Sequence, residues 1–390
     1  MRPFAANRIG IHGSGLPGKS ILFCITLQNT VTPPLAVRSE SPAASSPDPA
    51  VFRRIFLVAG LVLVVALFLL SLRLGAVEIS LSRIFDALLR TGEPLSGTER
   101  TVIWQIRLPR AVGGLAIGAI LGVCGAAMQG LFRNPLADPG LIGVTSGASL
   151  GSVLYLKLAA GLLAGFSAAF GLFALPVCAL AGGLAVTWLM HRAAVVEGRT
   201  VVGLMLLAGI AINALGGAVI GLVLFFSDDD QLRQFTFWTL GNLGHVSWPK
   251  LAAAAPLLLG ALWLVMRQSR TLNALLLGET EAGHLGVDLQ RAKRILIFAT
   301  AAGVGAGVSV AGGLGFIGLI VPHLVRTIIG PDHRGVMPAS AIFGGALLLA
   351  ADTLARTLAA PAELPVGVIT AAIGAPVFFS LLRNRRQAAG

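Results

Sequence analysis

The feature that most constrains this chain is a series of apolar runs, each about 20 residues long. A helix needs roughly 20 apolar residues to cross a bilayer, because each residue adds about 1.5 Å. The sequence predicts such helices at Phe52–Arg73, Ala111–Leu131, Leu141–Ala160, Phe166–Met190, Val201–Phe226, Val246–Met266, Ile295–Gly313, Leu314–Ile329, Met337–Leu358 and Val366–Leu382. The expected fold is therefore all-α, a polytopic transmembrane bundle of about ten helices. The seventh and eighth helices share one apolar stretch, so their boundary near Gly312–Gly315 is left open.

The charge content excludes the common classes of soluble protein. Of the 390 residues only 12% are charged, whereas ordinary soluble domains carry about 25%. The net charge of +12 is spread between the apolar runs, which favours a topology signal over nucleic-acid binding. The three cysteines are scattered along the chain, so neither a disulfide framework nor a metal site is expected. We therefore expect the chain to be surrounded by membrane lipid and to bind no nucleic acid.

The first 50 residues differ from the rest of the chain. Residues 1–50 end in a stretch rich in Pro, Ser and Ala, which predicts either a disordered tail or a start codon assigned too early. Gly13–Ser20 matches the phosphate-binding loop of nucleotide-binding proteins. That loop works between a buried strand and a helix, and neither a strand nor a soluble domain accompanies it here, so we interpret the match as chance. Residues 51–390 form the predicted transmembrane domain.

Ionisable groups are almost missing from the predicted membrane spans. Asp352 lies well inside a span, and Arg356 follows it one helical turn later, which favours a structural ion pair over a proton relay. Such a bundle has no evident means of using an ion gradient. A transporter built in this way would therefore need energy from a partner. Two other classes of function stay open at this point. One is an ion-coupled secondary transporter, and the other is an enzyme that uses the glycine-rich loop of the tail.

Rigid turns and short motifs recur in a characteristic order. They are Arg107–Arg110, Phe132–Gly140, Leu141–Ala148, Gly278–Val287, Gly315–His323, Gly330–Arg334 and Glu363–Gly367. The Asn-Pro and Asp-Pro-Gly steps in the second of these are strong turn formers. In this order the motifs resemble the FecCD family of permeases, the membrane subunits of type II ABC importers for ferric siderophores, haem and cobalamin. The resemblance extends from about Arg53 to Arg386.

The resemblance implies a function and a set of partners. It implies the type II ABC importer permease fold, a homodimer with its pathway on the two-fold axis, two ATPase subunits and one periplasmic substrate-binding protein. It also implies a multi-pass protein of the bacterial inner membrane with both termini in the cytoplasm. The chain itself would perform no chemistry, with no catalytic residue, no metal and no bound cofactor, because ATP and magnesium would bind to the ATPase.

The polar segment 267–294 is the longest between two predicted spans, and its leucines and glycines predict two short helices broken at a glycine. An amphipathic segment lying at the membrane surface would show the same pattern. The resemblance implies instead that this cytoplasmic segment contains the coupling helices that contact the ATPase. The residues expected at that contact are Gly278, Glu279, Ala282, Leu285 and Gly286.

The resemblance also assigns residues at the two faces of the membrane. Arg107, Arg110 and Arg356 are expected to face the periplasm and to pair with glutamates of the binding protein. Anchoring of a helix end at lipid headgroups is the alternative for the first two. Asn134 and Leu136 match the loop that forms part of the cytoplasmic gate.

Haem is the expected substrate, because the run from Phe132 to Val144 looks most like haem permeases. Ferric siderophores and cobalamin remain open. His245 and Trp238 lie in an outer segment where they could meet haem, although aromatic residues at an interface are ordinarily lipid anchors.

Overall fold

The computed structural model describes residues 49–389, apart from 76, 78, 90–95 and 361. The tail with its phosphate-loop match at Gly13–Ser20 lies outside the described residues. The helices are α1 (Pro49–Arg73), α2 (Leu81–Leu89), α3 (Gly97–Thr101), α4 (Leu108–Leu131), α5 (Val144–Leu158), α6 (Ala164–Phe170), α7 (Ala174–Ala193), α8 (Val202–Phe225), α9 (Asp229–Thr239), α10 (Trp248–Arg267), α11 (Ser269–Leu277), α12 (Glu279–His284), α13 (Leu289–Ala311), α14 (Ile317–Ile329), α15 (His333–Thr357) and α16 (Val366–Ala389).

Short elements complete the described chain. A π-helical turn, Val102–Arg107, joins α3 to α4, and 3-10 turns lie at Pro139–Ile142 and Gly171–Phe173. The strands β1 (Val195–Val196) and β2 (Arg199–Thr200) form a two-stranded antiparallel turn that leads into α8.

A helix lies at each of the ten predicted apolar runs, which confirms the all-α polytopic bundle. Seven helical segments of the described chain are long and apolar enough to cross a membrane. The boundary between the seventh and eighth runs lies where it was expected. There α13 ends at Ala311, the chain reverses through Gly312 at φ +75°, and α14 begins at Ile317.

α13 and α15 begin earlier than the apolar pattern predicted, because an aspartate caps each of them. α13 starts at Leu289 rather than Ile295, since the carboxylate of Asp288 accepts a hydrogen bond from the backbone N–H of Arg291 (3.0 Å). α15 starts at His333 rather than Met337, since Asp332 accepts one from the N–H of Arg334 (3.0 Å). An aspartate at this position satisfies a backbone donor that the helix leaves free.

Three helices form the buried frame of the protein. In the most apolar stretches of α4 and α13, 78% of the residues are buried, and in α15 67% are. α4 and α15 approach so closely that a β-carbon on Gly118 would collide with the backbone carbonyl of Gly344, and one on Gly122 with that of Ser340. Small residues allow helix backbones to meet in lipid, where no hydrophobic force drives helices together.

The eighth helix is packed in the opposite manner. Only 6% of the most apolar stretch of α8 is buried, and within this fully described helix the buried residues are Met205 and Gly209. A β-carbon on Gly203, Gly216 or Gly221 would meet open space. A long apolar helix with glycines on its exposed surface is thus available to lipid or to another protein chain.

The frame has two polar ends. At one, the arginine end, the start of α4 meets the ends of α1 and α15 through Arg107, Arg110 and Arg356. At the other, the α11–α12 end, Gly130 near the end of α4 lies against His333 of α15 and Leu272 of α11. α4 and α15 are therefore antiparallel, and they place the predicted docking arginines and the predicted coupling segment at opposite ends of the bundle, as expected.

A matched pair of glycine substitutions tests the frame. Gly122→Ala should destabilise the protein by about 1–3 kcal/mol, because the added methyl group collides with backbone that cannot move aside. Gly260→Ala in α10 has open space before it, and alanine favours a helix over glycine by up to about 1 kcal/mol. Thermal unfolding in detergent should therefore show a lower melting temperature for the first variant and not for the second. Equal melting temperatures would contradict the described α4–α15 contact.

Candidate functional site

The predicted coupling segment consists of two short helices broken at a glycine, as the sequence indicated. α11 ends at Leu277, and Gly278 separates it from α12 at φ +123°, a conformation that favours glycine. Leu277 and Leu285 are 66% and 65% exposed. A β-carbon on Gly278 or Gly286 would meet open space. The segment thus presents an apolar surface that the described chain leaves uncovered.

Buried leucines and a polar cluster fix α11 to the frame. Leu272 and Leu275 are buried, and the side-chain amide of Asn273 donates to Asp332 (2.7 Å). The same amide accepts a hydrogen bond from the backbone N–H of His333 (2.8 Å). Arg53 of α1 closes the cluster with an ion pair to Asp332 (3.1 Å). α11 is therefore tied to α1 and to the start of α15.

The pKa of Asp332 reflects this cluster. Partial burial acts to raise it, but hydrogen bonds from the Asn273 amide and the Arg334 N–H hold it below its ordinary value. The positive charge of Arg53 acts in the same direction. Asp332 is accordingly ionised at neutral pH and can serve all its donors.

The accessible residues of α12 differ in part from those predicted to contact the ATPase. Glu279 is about half exposed and pairs with the buried Lys293 of α13 (2.8 Å). Ala282 was expected at the partner contact, but it is fully buried. The chain folds back over it, since the N–H of Val287 donates to the Ala282 carbonyl (3.2 Å). Four of the five predicted contact residues remain accessible: Gly278, Glu279, Leu285 and Gly286. Ala282 instead packs α12 against the rest of the protein.

The three predicted docking arginines are not free surface charges. Arg107 and Arg110 are each 4% exposed and Arg356 is 8% exposed. The guanidinium of Arg107 donates to the backbone carbonyls of Leu72 (2.6 Å), Arg73 (3.0 Å) and Val77. The end of α1 therefore takes up donors of Arg107, and its pairing with a glutamate of the binding protein stays a prediction.

The other two arginines share a buried carboxylate. Arg110 donates to Asp352 (2.9 Å) and to Glu363 (3.0 Å), and Arg356 lies 3.6 Å from Asp352 and donates to the hydroxyl of Ser71 (2.9 Å). The predicted pairing of Asp352 with Arg356 is confirmed, although Arg110, 242 positions away, is the nearer partner. Water reaches this cluster mainly at Glu363, which is 44% exposed.

The predicted gate residues lie in a tight turn at the α11–α12 end. The side chain of Asn134 accepts a hydrogen bond from the N–H of Leu136 (3.0 Å), and its carbonyl accepts one from Ala137 (3.0 Å). Asn134 is exposed and Leu136 is half-buried. Asp138 then caps the following 3-10 turn through the N–H of Gly140 (2.7 Å). The turn is rigid, and its role as a gate stays a prediction.

His245 and Trp238, the predicted substrate residues, line one cavity. It has a volume of about 460 Å³, and its wall also contains Phe237, Arg233 and Lys250. Gly244, which precedes His245, lies against Glu363 and Arg110, so the cavity lies near the arginine end. The indole N–H of Trp238 is buried and has no hydrogen-bond partner among the described residues. The cavity therefore combines aromatic walls, an imidazole and two cations.

The comparisons with known proteins decide the family. The model of the FecCD transport family matches residues 63–384. The chain belongs to the FecCD transport family.

Two relatives show what this FecCD protein is similar to. The hemin transport system permease protein HmuU of Yersinia pestis is 44% identical over 334 residues, which cover 85% of this chain and 96% of the relative. The cobalamin import system permease protein BtuC of Halobacterium salinarum is 42% identical over 288 residues, 74% of this chain and 75% of the relative.

A solved structure agrees with the fold of this FecCD protein. It is described as an inward-facing conformation of a metal-chelate type ABC transporter, with a TM-score of 0.72 and 30% identity. The match covers 85% of this chain and 99% of the other. The protein is thus a permease of a type II ABC importer, and such a permease is not itself an enzyme. Permeases of this family work with an ATPase and a binding protein.

Sequence reasoning missed three residues that organise these sites: Lys293, Asn273 and Glu363. Lys293 reads as one of several basic residues after a loop, and Asn273 as one polar residue among leucines. Glu363 was quoted within a motif, without a role. No local pattern reports their partners, because each partner lies on another helix. The one available signal was the high density of polar residues in otherwise apolar surroundings, where a charge needs a partner.

Removal of one buried charge tests the arginine end. Asp352→Asn leaves the guanidinium groups of Arg110 and Arg356 without their shared carboxylate, so we expect a loss of about 3–5 kcal/mol of stability. Asp230→Asn breaks a pair whose side chains are 70% and 76% exposed, and such pairs contribute about 0–1 kcal/mol. Unfolding in detergent measures both variants. A loss of stability as small for Asp352→Asn as for Asp230→Asn would contradict the described cluster.

Proposed function

We propose that this chain is the haem-transporting permease of an ABC importer in a bacterial inner membrane, with both termini in the cytoplasm. ATP binding and hydrolysis on a separate ATPase would switch the pathway between periplasmic and cytoplasmic access. Magnesium and ATP would bind to that ATPase, and this chain would bind no cofactor of its own. Haem enters this proposal as cargo.

The observation that carries the importer mechanism is the uncovered apolar surface of the α11–α12 segment. Leu277 and Leu285 are largely exposed there, beyond the end of the apolar frame. α11 is fixed by the Asn273–Asp332 bond, so a partner bound at this surface pushes on a firmly held element. The scarcity of ionisable groups in the spans agrees with a driving force that comes from that partner.

The choice of haem rests on the relative HmuU and on the chemistry of the cavity at the arginine end. Haem is a flat aromatic ring with an iron and two carboxylates. Trp238 offers a stacking surface, His245 offers an imidazole nitrogen for iron, and Arg233 and Lys250 offer cations for carboxylates. Cobalamin is the nearest alternative, because BtuC relatives match about as well. A ferric siderophore is the second.

Two further parts of the proposal concern the assembly. The exposed glycines and apolar side chains of α8 fit a helix-to-helix contact with a second copy of the chain, since small residues permit close approach in lipid. The binding protein would dock at the arginine end. There the three arginines fix the ends of α1, α4 and α15.

Reconstitution with the cognate ATPase and binding protein tests the proposal. Vesicles with all three components should take up haem when ATP is present, and should take up neither cobalamin nor a ferric siderophore at a comparable rate. Uptake should resist a protonophore. His245→Ala should lower haem uptake, because the imidazole is the expected iron ligand of the cavity, while Lys157→Ala, outside that cavity, should leave uptake unchanged.

The outcomes of this experiment separate the alternatives. Preferred uptake of cobalamin or of a siderophore would overturn the haem assignment and keep the importer. Uptake against a gradient without the ATPase, or abolished by the protonophore, would overturn the importer mechanism in favour of an ion-coupled transporter.

Substitution of the exposed leucines tests the ATPase contact. Leu277→Asp combined with Leu285→Asp should weaken binding of the ATPase at least about tenfold, since each substitution places an unpaired carboxylate in an apolar contact and each 1.4 kcal/mol is a factor of ten. Leu162→Asp, at a residue 84% exposed near the end of α5, is the control. Affinity measured in detergent should change only for the first variant. Undiminished binding would contradict the assignment of this surface.

A further inference from the structure

A buried lysine connects the α11–α12 segment to the helix that the bundle leaves most exposed. The side chain of Lys293, on the second turn of α13, is 3% exposed. Its ammonium donates to both carboxylate oxygens of Glu279 on α12 (2.9 and 2.8 Å). It also donates to the backbone carbonyl of Thr200 (3.1 Å). An ammonium has three donors, and these acceptors use all of them.

Thr200 is the junction between the β1–β2 turn and α8. Its N–H donates to the side chain of Gln290 on α13 (2.8 Å). Its hydroxyl lies 3.2 Å from the imidazole of His191 at the end of α7. α8 begins two residues later, at Val202. Because Thr200 is buried and bonded on three sides, the residues that hold it determine where α8 enters the bundle.

The ammonium is carried by α13, a helix of the frame, and it joins α12 to the start of α8, which are both more exposed than the frame. α13, which carries Lys293, is among the most buried helices, whereas α8 is the least buried of the candidate spans. α12 carries Glu279 on its exposed side, beside Gly278 and its uncovered surroundings. A displacement of α12 would therefore move the Glu279 carboxylate. An ammonium that followed this carboxylate would stretch or break its bond to the Thr200 carbonyl.

We propose that Lys293 is a positioning residue for transport, a strut through which movement of α12 reaches the start of α8. This inference rests on the proposed function, because it requires that an ATPase move α12. Lys293 would touch neither cargo nor nucleotide. It would set how much of each hydrolysis event becomes a movement of α8, while the hydrophobic contact with the ATPase lies elsewhere, on the exposed leucines.

A buried lysine paired with a glutamate could also serve stability alone, and the two roles predict different results for a double variant. Glu279→Gln leaves an unpaired charge inside the protein, which is strongly destabilising. Lys293→Met with Glu279→Gln removes both charges and leaves no buried charge unpaired. A stabilising pair predicts that this double variant regains transport. A strut predicts that it folds and remains uncoupled, because no group then bridges α12 and Thr200.

The experiment uses the complete importer in vesicles, with ATPase and binding protein, and measures cargo transported per ATP hydrolysed. We expect Lys293→Met to bind the ATPase with wild-type affinity and to hydrolyse ATP, and the double variant, which also changes Glu279 at the predicted contact, is compared at saturating ATPase. Their transport per ATP should fall about tenfold, within the range by which residues between two sites change coupling. Lys293→Arg, which can donate to both acceptors, should restore most of the ratio. Arg192→Met, an exposed cation at the end of α7, is the control for loss of charge.

Each result decides between the possibilities. A wild-type ratio in Lys293→Met or in the double variant overturns the strut, as does failure of Lys293→Arg to improve on Lys293→Met. If the wild-type protein shows no ATP-dependent uptake at all, the proposed function fails instead, and that result is recognised before any variant is compared.

Discussion

The close packing of α4 against α15 is the contact on which the rest of the structure depends. Glycines on both helices bring backbone against backbone, and dispersion contacts at that distance hold helices together in an environment that offers no hydrophobic force between them. Because the two helices are antiparallel, one contact sets both polar ends. It places Arg110 beside Asp352 at one end, and it places His333 where Asn273 of α11 can bind it at the other.

The buried charges of the described residues lie near the ends of helices, where most are ion-paired and Arg107 is held by backbone carbonyls. Arg110 has Asp352, and Lys293 has Glu279. Burial of an unpaired charge in an apolar bundle is costly, so each pair also fixes the position of the elements that carry it. The frame is buried, α8 is left largely exposed by its own chain, and the polar contacts between them lie at the end where the α11–α12 segment is exposed. This division suits an importer whose energy comes from a partner.

Much of the fold could be predicted, because length and apolarity are local properties. The ten helical positions, the break at Gly278 and the family motifs all follow from short stretches of sequence. The sites could be predicted only in part. Arg107 was expected to pair with a glutamate of the binding protein, and no local pattern indicated that backbone carbonyls at the end of α1 take up its donors. Ala282 was expected at a contact and is buried. A residue as small as alanine fits either an exposed contact or a buried position. The packing of neighbouring elements decides which of the two it takes.

The sequence by itself determined that this chain spans a membrane, where its helices lie, and to which family it belongs. Those properties depend on the thickness of the bilayer, on the rise of a helix and on the order of motifs along the chain. Only the tertiary structure decided which charges are paired and which helix is left exposed. An ion pair requires two groups within about 4 Å of each other. Whether residues on different helices come that close depends on how helices distant in the chain pack together.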